Sequence, residues 1–422
     1  MNIWIFNQYA VTPDLPGGTR HYDLGQELAR RGHHVVIIAT SFHHHMHKET
    51  RLKPGERWKI ENVNGVKFVW LRTPSYWRND WRRVWNMLVF ALRAWRFGQK
   101  LPKLAPEVGR PEVVIGSSPH LLIPLAAYWV ARHYRVPFVM EVRDLWPQTI
   151  IDMGKLSATH PIIKVLQALE RFLYRQAKLI ITVLPQAHKY ITALGIPQER
   201  IFWIPNGVDL SRFGNLEPPS AVAEIFKVMY LGAHGQANAL DVLIHAAKVV
   251  QDRGFAEIRF ILVGEGPEKP RLMALAQELR LANVEFREPV PKNEVPTLLH
   301  TADATIFILH DITLYKYGIS LNKLFDYLAA GKPVVIAGKP ANNPVEEARC
   351  GLTVPPREPQ ALAEAVIKLY QMPREEREAM GRRGREYVEK HHNITRLAEH
   401  LEKALLQAIQ HEANNAESTL ST

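Results

Sequence analysis

Short apolar runs alternate along this chain with longer amphipathic stretches, and glycine or proline marks many of the joins. Runs of that kind read as strands buried on both faces, and the stretches between them as crossover helices, so the pattern predicts repeated βα units around parallel sheets. Ile3 to Phe6 is the first predicted strand; a helix follows from about Thr19 to Arg31 and stops at Gly32, and Val35 to Ala39 is the next strand. Val66 to Leu71, Val113 to Ile115, Phe138 to Val142, Leu179 to Val183 and Ile201 to Ile204 continue the series. The pattern then restarts with strand Val228 to Leu231, helix Asp241 to Gln251, strand Ile258 to Val263, helix Lys269 to Leu279 and strand Val284 to Phe286. Ala304 to Ile308 and Val334 to Ala337 complete a second sheet. Two Rossmann-like domains are expected, joined near Phe213 to Ala221 where Gly214, Pro218 and Pro219 cluster, and followed by helical stretches Pro359 to Tyr370 and Arg374 to Gln410.

A chain of 422 residues with 46% hydrophobic and 23% charged residues fits that two-domain globular reading. One cysteine, Cys350, excludes a disulfide framework and suits a reducing compartment. The uncharged run Val113 to Ala131 is long enough to span a bilayer, but Gly116, Pro119 and Pro124 break it into strand, loop and helix start. Charge is distributed unevenly. Residues 1–210 carry 28 basic and 15 acidic side chains and residues 211–422 carry 25 and 27, so the whole net charge of +11 comes from the first half. An anionic partner is expected to meet that half.

Four loops lie at predicted strand ends, where open α/β sheets bind ligands. Pro16-Gly17-Gly18-Thr19 precedes a helix, and Gly232-Ala233-His234-Gly235 and Gly264-Glu265-Gly266-Pro267 each lead from a strand into a helix. Glycines at such joins let backbone approach a ligand, or only make the turn. In the fourth, Gly318 to Asn322 enters the helix that carries Lys323 and Asp326, with Ser320 and Asn322 as candidate caps. Amides of Ile319, Ser320, Leu321 and Asn322 would face a phosphate there, aided by the helix dipole. Asp326, one turn beyond Asn322, could hold a ribose diol, and Lys323 could neutralise a leaving group.

Leu28-Ala29-Arg30-Arg31-Gly32-His33-His34-Val35, Ile204-Pro205-Asn206-Gly207-Val208-Asp209, Val263-Gly264-Glu265-Gly266-Pro267 and Lys323-Leu324-Phe325-Asp326-Tyr327-Leu328-Ala329-Ala330-Gly331-Lys332-Pro333-Val334 occur in that order. With them the chain resembles glycosyltransferase family 4, and Glu141-Val142-Arg143-Asp144-Leu145-Trp146-Pro147 resembles its bacterial surface-polysaccharide branch, which includes N-acetylfucosamine transferases. The resemblance implies an α/β GT-B fold: Rossmann-like domains 1–212 and 213–385 facing across a cleft, a helix 386–411 crossing back to the first, and a disordered tail 412–422. It implies retaining, metal-independent transfer from a nucleotide-sugar co-substrate, expected to be UDP-linked, with no further cofactor. By similarity Asp326 is the ribose-binding acid, the loop Ile319 to Asn322 contacts the diphosphate, and Arg287, Glu288 and Val290 lie at the base. Gly17 and Gly18 would close over the diphosphate, with Gly232, His234, Gly235, Gly264 and Gly266 completing the donor site.

The chain departs from the family pattern in three places. Gly318 stands where a first acid is common, Ala233 and Asn238 stand where an arginine and a lysine are usual, and Glu141, Arg143 and Asp144 follow Val139 in place of a histidine. The cation for the leaving group is then Lys323, with Arg143 as a second candidate, and Glu141 and Asp144 are candidates for positioning an acceptor; a salt bridge to Arg143 is their plain structural alternative. No Asp-x-Asp triplet occurs, which speaks against a metal-bridged diphosphate. Without a carboxylate pair at defined spacing, front-face attack is favoured over a covalent intermediate.

The segment Trp77 to Lys103 holds seven Arg or Lys residues against one acid, Asp80, and four of the ten tryptophans. On a helix Arg78, Arg82, Arg93 and Arg96 form one stripe, and Trp81, Trp85 and Trp95 belong to the adjoining one, the pattern of a helix lying on an anionic bilayer. Core packing under snorkelling arginines is the alternative. A lipid-linked saccharide acceptor would explain both the stripe and the lopsided charge, with His120 near the same strand ends. The expected location is cytoplasmic, peripheral on the inner face of the plasma membrane, with no nucleic-acid partner. His43-His44-His45-Met46-His47 reads as a solvated loop and not as a metal site. Two other functions remain open at this point: a nucleotide-sugar epimerase on the same fold, and a non-catalytic partner in polysaccharide assembly.

Overall fold

The computed structural model describes residues 1–78, 80–214, 225–310 and 313–420, in two compact units. The first comprises Met1–Thr12, Gly18–Pro205 and Ile394 onward, and the second Pro13–Gly17 and Asn206–Asn393. The chain therefore changes unit at Pro205, not at residue 213; residues 215–221 of the expected linker lie outside the described residues.

In the first unit the strands are β1 (Asn2–Phe6), β2 (His34–Thr40), β3 (Phe42–His43), β4 (Lys48–Glu49), β5 (Trp58–Val63), β6 (Val66–Leu71), β7 (Val113–Ser118), β8 (Phe138–Val142), β9 (Leu179–Thr182) and β10 (Ile201–Trp203). Eight of them form one sheet in the order β10-β9-β8-β7-β1-β2-β6-β5, parallel except where β5 pairs antiparallel with β6 at the edge. Ile3, Ile5, Val35, Ile37, Val113 and Ile115 project to one face, where helix Arg20–Arg30 and the C-terminal helix Ile394–Leu420 cover them. Trp4 and Phe6 point the other way: Trp4 meets Tyr134 edge-on at 5.6 Å, and the close approach of Gly98 to Val130 and Phe6 seats helix Trp81–Gly98 beside helix Leu122–Tyr134.

The second unit is wholly parallel: β11 (Phe226–Leu231), β12 (Ile258–Val263), β13 (Val284–Arg287), β14 (Ala304–Ile308), β15 (Val334–Ala337) and β16 (Gly351–Val354), ordered β13-β12-β11-β14-β15-β16. Helices Leu240–Asp252 and Pro359–Gln371 bury one face, and helices Asn322–Ala329 and Arg374–His391 the other.

The structure differs from the sequence expectation at four places. β5 and β16 were unread because their residues are half exposed and show no apolar run. The histidine segment is a β-hairpin turn and not a solvated loop: His44 Nδ1 bonds the hydroxyl of buried Tyr76, and burial lowers the His44 pKa to about 2, although His45 and His47 are exposed. The stretch Arg374 to Gln410 is two helices, interrupted where Val208 N–H donates to His392 O (2.9 Å) and pairs with Asn393. The last helix starts at Ile394 and not at 386, and it runs to Leu420 through most of the expected tail; residues 421–422 lie outside the described residues.

Candidate functional site

Strand ends β11, β12 and β14 and the start of helix Asn322–Ala329 collect most of the expected donor residues in the second unit. Lys323 is their centre. Its Nζ donates to Tyr230 Oη (2.9 Å) and Asn238 Oδ1 (2.5 Å) and lies over the rings of Tyr230 (4.6 Å) and Phe307 (5.3 Å). Among the described residues no carboxylate joins this shell of contacts. Burial lowers the ammonium pKa to about 7. Gly232 makes room for it, since a Cβ there would stand 3.2 Å from Lys323 Cδ. The lysine thus occupies the loop in which Ala233 and Asn238 replace the usual cations.

The glycines of the other two loops serve each other. At Gly264 (φ +148°) a Cβ would lie 2.0 Å from Gly232 O, and at Gly266 one would lie 2.4 Å from His234 O. The two loops touch backbone to backbone, with His234 N–H on Glu265 O (2.9 Å) and Glu268 N–H on His234 O (3.0 Å). His234 itself is fully buried, not exposed to a ligand; among the described residues neither ring nitrogen has a hydrogen-bond partner, and burial lowers its pKa to about 4. Gly235 lies at the loop's open side, 4.0 Å from Asn238 Nδ2 by the same measure.

The capping assignment changes. Helix Asn322–Ala329 starts after Leu321 with no side-chain cap. Ser320 Oγ instead accepts the Asn206 N–H (2.8 Å), Asn206 Nδ2 donates to Ser320 O, and His392 Nδ1 bonds Asn206 O (2.9 Å). Asn206 of the Ile204–Asp209 motif is therefore a strut under the loop. The Ile319 N–H is also committed, to Asn342 Oδ1 (2.6 Å), so it does not face a phosphate. Among the described residues the amides of Ser320 and Leu321 and the first-turn amides of Asn322 and Lys323 remain as donors, whose partner an anion can be.

Asp326 is buried one turn on, and Lys292 Nζ bonds its Oδ2 at 2.5 Å. Lys292 was not singled out in the sequence; its own N–H reaches Leu15 O (3.4 Å), and Asn293 N–H reaches Pro13 O (3.3 Å), which fixes the Pro13–Gly17 segment in this unit. Gly17 (φ +142°) ends that segment, while Gly18 belongs to the first unit. At the β13 end Arg287 pairs with Glu285 (2.7 Å), and its carbonyl accepts Gly264 N–H (3.2 Å); Glu288 meets Lys269 (2.7 Å) and Val290 packs on the core.

In the first unit Glu141 does not pair with Arg143. Its two oxygens are taken by Arg20 Nε (2.9 Å) and His21 Nε2 (2.6 Å), all buried, and Arg20 also donates to the carbonyls of Ile204 and Pro205. Burial alone would raise the Glu141 pKa, but the charges of His21 and Arg20 outweigh it and hold the carboxyl well below the usual range. This is a buried brace between helix and sheet. Arg143, half exposed, donates its N–H to Ser118 Oγ (3.3 Å), and Asp144 is exposed beside it. His120 is buried on Gln8 (2.8 Å), and burial lowers its pKa to about 3, so it offers no surface contact. Asp80 caps helix Trp81–Gly98, and Arg82 lies over the rings of Trp77 and Trp81. Arg78, Trp81, Trp85, Arg93 and Arg96 are exposed, whereas Trp95 is half-buried.

Residues 17–207 match the family model described as "Glycosyl transferase 4-like domain", and residues 225–372 match "Glycosyl transferases group 1". "Putative colanic acid biosynthesis glycosyltransferase WcaL" of Escherichia coli (strain K12) is 29% identical over 244 residues, which span 56% of this chain and 58% of the relative. "Putative colanic acid biosynthesis glycosyl transferase WcaI" of the same strain is 22% identical over 78% of this chain and 81% of its own length. Among solved structures, sucrose-phosphate synthase from Thermosynechococcus elongatus superposes with TM-score 0.71 at 17% identity, over 96% of this chain and 98% of its own. WaaG, a glycosyltransferase involved in lipopolysaccharide biosynthesis, gives TM-score 0.66 at 17% identity over 95% and 98%. Anabaena Alr3699/HepE in complex with UDP and glucose gives 0.67 at 15% identity over 96% and 99%. At these identities the structures speak for the GT-B fold.

Proposed function

The chain carries both domains of a GT-B glycosyltransferase, and we propose that it moves a sugar with retention from a UDP-linked donor to a lipid-linked saccharide in surface-polysaccharide synthesis. The observation that carries this reading is Lys323, held by Tyr230 and Asn238 beside an uncapped helix start and one turn from Asp326. That arrangement suits a sugar diphosphate. The amides of Asn322 and Lys323 and the ammonium stabilise the charge that develops as the bond from the anomeric carbon to the phosphate oxygen breaks. Asp326, oriented by Lys292, keeps its second oxygen for a ribose hydroxyl. An acceptor hydroxyl attacks the same face of the sugar and passes its proton to the departing phosphate oxygen, which retains the configuration. No metal is required where amides and a lysine supply the positive charge. The names of the colanic acid relatives support a polysaccharide product. Exposed Trp81, Trp85, Leu88 and Leu92 among the arginines of one helix support work at the anionic inner face of the cytoplasmic membrane.

A thermal-shift comparison of UDP, GDP, ADP and dTDP tests the donor. A ligand that binds only the folded protein raises its apparent stability by mass action. Selective stabilisation by UDP is expected; stabilisation by another nucleotide alone would replace the base, and none by any would remove the donor site.

A further inference from the structure

The apolar surface around Trp81 does not end with its own helix. Helices Trp81–Gly98, Leu122–Tyr134 and Pro161–Gln176 form one layer on the same face of the first-unit sheet, as right-handed crossovers β6 to β7, β7 to β8 and β8 to β9 require. Tyr134 Oη donates to Gly98 O (3.0 Å), joining the first helix to the second, and Tyr128 and Phe172 meet edge-on at 5.3 Å, joining the second to the third. Each helix leaves large apolar side chains in solvent. Trp81 is 69% exposed on the first, Trp129 44% on the second, and Ile162 and Val165 are 56% and 67% exposed on the third. Scattered single residues of this kind are ordinary, but a face built from three adjoining helices is not.

Charge identifies what covers it. The three helices contain eight Lys or Arg residues and a single acid, Glu170, which is buried. The opposite layer, by contrast, mixes both signs, with Arg31 paired to Glu399 and Glu402. An all-basic rim around tryptophan and aliphatic side chains matches the interfacial zone of an anionic bilayer, where ring and alkyl groups enter the acyl boundary and guanidinium groups meet lipid phosphate. A second copy of this chain would bring an equally basic rim against it, which like-charge repulsion opposes. No helix among the described residues is long and apolar enough to cross a membrane.

We propose that this three-helix face is a single docking surface for an anionic bilayer, with Ile162 and Val165 of helix Pro161–Gln176 as a second anchor beside the tryptophans. It deepens the membrane part of the reading above and rests on that reading only for the lipid nature of the acceptor. Two anchors on separate helices fix the tilt of the unit on the membrane, which one helix alone leaves free to roll.

Flotation of the full chain with vesicles of phosphatidylglycerol and phosphatidylcholine, compared with phosphatidylcholine alone, tests it. The variants are Trp81→Ser/Trp85→Ser and Ile162→Ser/Val165→Ser, all at exposed positions. Binding is expected only to the anionic vesicles, to weaken with salt, and to fall about tenfold or more in each double variant, from the apolar area withheld from the bilayer. Unchanged binding of Ile162→Ser/Val165→Ser would overturn the second anchor, and equal binding to both vesicle types would overturn the docking surface. If instead light scattering shows a dimer that either variant dissociates, and no vesicle binding occurs, the face is a contact between copies and the proposal falls. UDP thermal shift on the same samples reports folding and donor binding separately, so failure of the surface and failure of the donor assignment are read in different assays.

Discussion

Lys323 is the residue on which the donor reading is most exposed to test. Its pKa of about 7 means that near pH 8 only about a tenth of the free protein carries the charge, and near pH 6 about nine-tenths does. A diphosphate favours the charged form. Two unit charges about 4 Å apart at an effective dielectric of about 20 interact by about 4 kcal/mol, enough to restore most of the fall from 10.5 in the complex. Donor binding above pH 7 must then take up a proton, and the cost is about 1.4 kcal/mol for each pH unit. The dissociation constant for UDP-glucose, whose diphosphate has no proton to lose in this range, is expected to be flat below pH 6.5. It should then rise towards tenfold per pH unit up to pH 8.5, as read by titration calorimetry in buffers of different ionisation heat. Lys323→Arg keeps a charge at every pH and should bind with no such slope. Lys323→Gln should also be flat, but weak throughout. A wild-type curve that is level from pH 6 to 8.5, or a Lys323→Arg curve that climbs with it, would refute the assignment of this ammonium to the diphosphate.

Four further substitutions separate structural roles from donor contacts. Gly264→Ala places a Cβ 2.0 Å from Gly232 O at a strained φ, so it should lower stability by about 2–4 kcal/mol and the melting temperature by about 4–16 °C, whereas Gly235→Ala, with no atom nearer than 4.0 Å, should be nearly neutral in a thermal melt. Glu141→Gln leaves buried Arg20 without its counter-charge and His21 without its carboxylate partner, and should cost about 3–5 kcal/mol in chemical denaturation; a variant as stable as wild type would show that the brace is dispensable. Glu170 is buried, which raises its pKa from 4.5 to about 7, so the folded state holds its proton more tightly than the unfolded state. Its contribution to stability is complete below pH 4.5 and is lost as pH rises to 7, by at most about 3 kcal/mol; denaturation at pH 5 and pH 8 should show the loss in wild type and not in Glu170→Gln.

Local pattern made the fold legible wherever an element was buried on both faces. Seven of the eight strands of the first sheet lie where the alternation of strand and helix put them, and the six interior ones do so because central parallel strands need continuous apolar residues. Of the four edge strands, β10 and β13 were legible, and β5 and β16 were not. Trp58–Val63 is half exposed and antiparallel, so nothing in its composition separates it from a loop until Val66–Leu71 is there to pair with it. The break between Arg374–His391 and Ile394–Leu420 has the same origin: no glycine or proline marks it, and it is imposed by Val208 and Asn206, residues almost two hundred positions earlier.

The candidate site divides along that line too. Candidate residues could be picked from type and position, and Lys323 and Asp326 do stand one turn apart at a helix start. Their partners could not be read. Asn206 to Ser320, Lys292 to Asp326 and Lys323 to Asn238 are contacts made by tertiary approach between loops, and none has a fixed spacing in sequence. For the same reason Ser320 looked like a cap and Glu141 like an acceptor-positioning acid: each has the right side chain, and each is already bound to a residue far away. Lys323 shows the converse. Its partners among the described residues are a phenol hydroxyl, an amide oxygen and two aromatic rings, all neutral. A buried lysine left in that state destabilises the free protein and binds an incoming anion more strongly than a paired one would. On the proposed reading Ala233 and Asn238 stand in place of two cations and diphosphate binding leans on this lysine, and that is why its pH profile, more than any single loss of function, decides the reading.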